Sequence, residues 1–116
     1  MSTNLKHKFG SDKTITFELK DKNGDPYPIT GTLYFWIVKQ KGDAAALVTK
    51  SSPSSGVTIT YAAGGLGSVA VARADVAALT GKNFWSLWEE NGSAKRIPLG
   101  DGEYNIETTG EVFATA

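Results

Sequence analysis

The stretch TLYFWIVK, Thr32 to Lys39, is apolar on both sides of any strand it forms. Successive side chains in an extended chain point to opposite faces. Leu33, Phe35 and Ile37 therefore face one way, and Tyr34, Trp36 and Val38 the other. A strand that covers one side of a small antiparallel core should instead alternate apolar with polar. A second segment repeats the anomaly: in NFWSLWEE, residues 83–90, Trp85 and Leu87 share one side while Phe84 and Trp88 share the other. The reading expects both segments to be strands with an inner face in the core and an outer face that needs an explanation.

Around these two segments the chain keeps the period of strands. KTITFEL (13–19) sends Ile15, Phe17 and Leu19 inward and Thr14, Thr16 and Glu18 to water. DKNGDP (21–26) is a turn, with Asn23-Gly24 tolerating positive φ and Pro26 presetting the exit. Ala45 to Lys50 reads as a strand in preference to a short helical piece, and SSPSSG (51–56) as a loop. VTITY (57–61), with Val57, Ile59 and Tyr61 on one face, turns at AAGGLG (62–67) into SVAVA (68–72), where Val69 and Val71 face the core. In RADVAALTG (73–81) Asp75 is placed as an N-cap and Gly81 as the stop of one helical turn that crosses between strands. ENGS (90–93) is a turn, AKRIPL (94–99) a strand, GDG (100–102) a turn, and EYNIET (103–108) a last strand with Tyr104 and Ile106 together.

This pattern predicts an all-β protein: an immunoglobulin-like antiparallel β-sandwich with one short helical crossover. A length of 116 residues suits one domain, and at this size roughly two thirds of the unfolded chain's surface can be hidden. No repeat or linker divides the sequence, so residues 1–116 are expected to be a single domain. Residues 1–12 are read as a flexible N-terminal segment and 109–116 as a tail.

The charge balance argues against nucleic acid as a partner. Twelve Lys and Arg face twelve Asp and Glu, and neutralising phosphates needs clustered cations. The densest basic stretch, Lys6, His7, Lys8 and Lys13, is read as a solvated terminus, and Lys95-Arg96 as an isolated pair. There is no cysteine, which removes disulfides, thiolate metal sites and a cysteine nucleophile. No apolar run suits a signal peptide or the ~20 residues needed to cross a bilayer, so cytoplasmic synthesis without membrane insertion is expected.

The motifs for chemistry are weak. His7, the only histidine, falls in the segment read as mobile, so histidine acid–base work is not expected. Asp21 to Asp25 resembles a calcium loop only superficially, because Pro26 stands where the sixth-position glycine is required. The glycines of GGLGS lack the lysine and the strand–helix setting of a phosphate cradle. Glu89 with Glu90 and Asp101 with Glu103 are read as solvated turn carboxylates, not a glycosidase pair. The expectation is a protein that is not an enzyme and uses no metal or cofactor.

The aromatic residues carry the stronger signal. Each Phe or Trp hides ~150–250 Å² when buried, worth up to several kcal/mol. The outer set, Tyr34, Trp36, Phe84 and Trp88, has three possible covers: a loop or helix of the domain, the N-terminal segment with Leu5 and Phe9, or another protein chain. These four residues are the candidate interface.

Two blocks, GDPYPITGTLYFWIVK and GVTITYAAGGLGSVAVARADVAALTGKNFWSLWEENGSAKRIPLGDGEYNI, resemble the small β-sandwich modules of tailed-phage and prophage structural proteins. The likeness is to the N-terminal module of upper baseplate proteins, which act as receptor-binding-protein adaptors. It is carried by Gly24 and Pro26, Thr30-Gly31, Gly56-Val57, Ser68 to Val71, Asp75 with Leu79 and Gly81, Phe84 to Trp88, and Gly102 with Tyr104 and Ile106. Adaptor members carry a coiled coil or second domain after this module, whereas this sequence stops at Ala116. The resemblance therefore implies a free-standing virion subunit of the tail, baseplate, neck or head attachment. Its partners would be other virion subunits, further copies of itself included, with no nucleic acid, membrane or small-molecule ligand. The alternative is a carbohydrate-binding module whose exposed Trp and Tyr stack on sugar rings.

Overall fold

The computed structural model describes residues 3–9, 11–43, 45–53, 55–92 and 95–107. The tail expected at 109–116 lies outside the described residues. Among the described residues eight strands form: β1 (Leu5–Lys8), β2 (Lys13–Glu18), β3 (Thr32–Val38), β4 (Val48–Ser51), β5 (Val57–Tyr61), β6 (Leu66–Val71), β7 (Gly81–Glu90) and β8 (Arg96–Glu107). Two short 3₁₀ turns, Ala62–Gly64 and Arg73–Val76, complete the elements. One sheet has the order β1-β8-β7-β3-β4 and the other β2-β6-β5.

The result is an all-β sandwich with immunoglobulin-like topology. Strands β3, β7 and β8 correspond to C, F and G, β4 to the added C′, and β2, β6 and β5 to B, E and D. All pairings are antiparallel except that of β1, which runs parallel to the end of β8. The two segments that are apolar on both sides are neighbours at the middle of the larger sheet. Their register sets Leu33 opposite Glu89, Phe35 opposite Leu87 and Ile37 opposite Trp85 on the inner face. The core fills the space between the sheets with Leu33, Phe35, Ile37, Val57, Val69 and Val71, all essentially inaccessible to solvent. Phe35 stacks on Trp85 and meets Tyr104 edge-on.

Several expectations change. Within the segment read as flexible a strand forms: Leu5–Lys8 pairs with Tyr104–Glu107, and Leu5 packs against the core. His7 points inward and is only 1% exposed. The carbonyl of Ser11 can only accept, so it takes the Nε2 proton of His7 at 2.6 Å. Nδ1 is then left to accept from the Tyr104 hydroxyl. The GDG segment is not a turn, because β8 runs unbroken from Arg96 to Glu107. Gly102 allows this: a Cβ there would overlap the carbonyl of Thr3, which accepts the indole N–H of Trp85 at 2.7 Å. Tyr61 leaves the inner face and is 60% exposed, because pairing slips between Ile59 and Tyr61.

The crossover is helical, as expected, but Asp75 is not its N-cap. The 3₁₀ turn starts after Ala72, and the Asp75 carboxylate reaches back to accept the Ala72 N–H at 2.7 Å. It also meets the ammonium of Lys50 at 2.8 Å, tying the crossover to β4, while Val76 and Leu79 enter the core.

The link from β2 to β3 is held still more firmly. Asp21 rather than Asn23 organises its turn, accepting the N–H groups of Asn23 and Asp25 with Gly24 at φ 85°. At the far end Gly31 approaches the backbone of β7 so closely that a Cβ would sit 2.3 Å from the carbonyl oxygen of Glu90. Backbone cannot swing aside as a side-chain tip can. Gly31→Ala is therefore expected to lower stability by about 2–3 kcal/mol, measured by urea unfolding. A loss near zero would mean that the strands separate without resistance.

Candidate interaction site

The outer face of the five-stranded sheet is built by the same register that fills the core. Tyr34 on β3 lies opposite Trp88 on β7, Trp36 opposite Ser86, and Val38 opposite Phe84. Farther across, Asp101 and Glu103 of β8 pair with Ser86 and Phe84, and Thr49 of β4 flanks Trp36. All four candidate residues, Tyr34, Trp36, Phe84 and Trp88, thus lie on one surface and are half-buried. Tyr34 and Trp36 stack with centroids 5.7 Å apart and planes 21° apart, and Trp36 meets Trp88 at 6.2 Å.

The partial burial comes from the rings themselves and from one margin. There Lys41, shortly after β3, lies over the Phe84 ring, 5.4 Å from its centroid. The N-terminal segment does not cover the face: its apolar residues are used elsewhere, Leu5 at the core and Phe9 38% exposed. The second sheet packs on the opposite side of β3 and β7, and among the described residues no helix or strand lies over the aromatic surface.

Ser86 shapes the middle of this surface. It is the small side chain between Trp36, Phe84 and Trp88, and it leaves an open cleft of about 630 Å³ beside Asp43 and Asp101. A second hollow of about 280 Å³ continues past Trp88 to Pro98 and Gly100. The pairing of β7 with β8 slips between Leu87 and Trp88, so Trp88 faces Pro98 where regular pairing would bring Leu99. Such a bulge re-aims a side chain, here one wall of the cleft.

The charged residues divide by environment. Glu90 binds Arg96 at 2.9 Å, and Glu103 meets Lys82 at 3.5 Å. Glu89 is not a solvated turn carboxylate. It ends the inner face of β7, is 1% exposed, and accepts three hydrogen bonds from the chain entering β3. The Tyr27 hydroxyl donates to Oε1 at 2.6 Å, and the Thr30 and Gly31 N–H groups donate to Oε2 at 2.9 and 3.0 Å. A buried carboxylate needs such donors in place of water. The sequence signal was present in Thr30-Gly31, since two adjacent backbone N–H groups can bind an anion, but its partner was distant in the chain.

Glu89 is a clamp, its lone pairs directed at structural donors. The hydrogen bond to Glu89, assisted by burial and by that negative charge, pushes the Tyr27 phenol up to about 12 from its ordinary 10.0. Burial raises Tyr104 as well, with the charge of Asp75 adding to it.

A comparison with protein-family models and with curated protein sequences finds no match.

Replacing Glu89 by Gln keeps the shape but leaves one acceptor oxygen where two were used. Glu89→Gln should cost about 2 kcal/mol, read as a lower urea midpoint with an unchanged slope. The raised phenols set a pH dependence: a neutral tyrosine favoured by the fold stabilises it fully below pH 10, and this is lost as pH rises towards about 12. Tyrosinate absorbance of the folded protein should show part of the four tyrosines ionising late, in step with unfolding. Uniform ionisation near pH 10 would contradict the Tyr27–Glu89 bond.

Proposed function

We propose that the protein is a non-enzymatic structural or assembly component of a phage or prophage particle, acting through contacts with other virion subunits. The observation that supports this most directly is the outer face of β3 and β7. Four large aromatic side chains share one surface of the central strands and are left half-open, with Tyr34 stacked on Trp36 and Trp36 meeting Trp88. A sheet that merely closed a core would carry polar residues there. Contiguous apolar surface with a charged rim suits contact with a second protein. The position in a tail, baseplate, neck or head attachment follows from the resemblance to baseplate modules and stands as part of the proposal.

The mechanism is burial. A partner would cover Tyr34, Trp36, Phe84 and Trp88, while the pairs Glu90–Arg96 and Lys82–Glu103 remain at the rim and keep the free subunit soluble. The carbohydrate reading retains one supporting observation, since aromatic rings beside Asp43 and Asp101 also match the chemistry of a sugar site. The ring arrangement favours protein: Tyr34 and Trp36 lay their faces on each other, whereas a sugar platform presents a ring face to solvent.

Particles purified from the source bacterium should contain the wild-type chain, detected by mass spectrometry. A Trp36→Ala, Trp88→Ala double variant that keeps its β-sheet circular dichroism should be depleted from them by about tenfold or more. A wild-type chain absent from particles, or equal incorporation of the variant, refutes the proposal. Binding in a glycan library that both substitutions abolish would establish the sugar module instead.

A further inference from the structure

We propose that the cleft around Ser86 is a receptor for one basic side chain, arginine or lysine, presented by the protein partner of this face. The inference rests on the assembly reading above and adds the chemistry by which the partner is recognised. Three observations lead to it.

The first is shape. Trp36, Phe84 and Trp88 surround the short side chain of Ser86, so the surface is pitted in the middle of its most apolar region. A protruding side chain fits this form better than a flat apolar patch does.

The second is charge. Two carboxylates, Asp43 and Asp101, line the cleft, and among the described residues neither belongs to an ion pair. Among the described residues the Asp43 carboxylate accepts only the N–H of Gln40, within its own turn. Of the cations at the cleft, Arg96 is already held by Glu90, which leaves Lys41 facing two acids. With that pair set aside, one cation is set against two acids, and a partner's cation would balance the second.

The third is the behaviour of Lys41. Its side chain is exposed, yet its ammonium lies over the Phe84 ring. The negative face of an aromatic ring attracts cations, and here the surface already draws one from its own loop. A guanidinium entering beside Ser86 would meet the same kind of surface on Trp36 and Trp88, with Asp101 near enough in the register to accept its N–H groups.

The test uses the full chain and small probes. N-acetyl-arginine amide is titrated while the indole N–H signals of Trp36 and Trp88 are followed by NMR, with N-acetyl-citrulline amide as the neutral isostere. The expected result is a saturable shift with arginine, weaker by about tenfold with citrulline and by a similar factor in Asp101→Asn. Asp101→Asn should leave thermal unfolding unchanged, because only the Asp101 backbone carbonyl is used in the fold, accepting the N–H of Thr3. Equal binding of the two probes, absence of saturation, or indifference to Asp101→Asn each overturns the inference. So does a preference for methyl glucoside over arginine. Particle incorporation is measured separately: a chain that enters particles without preferring arginine loses only the cation site. One that prefers arginine but stays out of particles loses the virion reading.

Discussion

The pairing of β3 with β7 is the constraint on which the rest of the molecule depends. Seven consecutive residue pairs, from Thr32 with Glu90 to Val38 with Phe84, sort every large side chain of two strands to one of two sides. A slip of one residue would exchange the sides, sending Trp36 into the core and Phe35 to water. The core residues opposite Leu33, Phe35 and Ile37 would then meet the wrong shapes. Core and outer aromatic surface are therefore specified by one register, and neither can be altered wholesale without the other.

That register is fastened at one end by Glu89. Its carboxylate lies at the last inner position of β7 and collects Tyr27, Thr30 and Gly31 from the chain arriving from the smaller sheet. Gly31 lets this chain lie directly on the backbone of β7. At the other end the fastening is the indole of Trp85, which reaches Thr3, while His7 and Tyr104 join β1 to β8 beneath the sheet. Polar groups buried at both ends, with apolar packing between them, orient two sheets that hydrophobic contact alone would hold in place without fixing their angle.

Much of this was legible in the sequence because alternation with a period of two is a local signal. Ile15, Phe17, Leu19, Val57, Val69 and Val71 could be assigned to the core from their neighbours alone, and so could both faces of β3 and β7. What could not be read depended on distant partners. His7 and Glu89 look like surface residues because the groups that satisfy them, Tyr104 and the 27–31 segment, are far away in the chain. GDG has the composition of a turn, but here Gly102 lets β8 pass close to Thr3. The four outer aromatics were identified as one surface, yet the cleft at Ser86 needed the cross-strand register and the slip beside Trp88.

The parallel strand β1 has one more consequence. β1 pairs with β8 from Tyr104 to Glu107 and Thr3 reaches back to Asp101, so among the described residues Arg96 to Gly100 of that twelve-residue strand have no strand beside them on this margin. An uncovered border of a sheet invites growth by further strands. Pro98 lies in that stretch and has no N–H to offer a newcomer. Lateral extension into fibres is thereby discouraged along the part of β8 that β1 leaves bare.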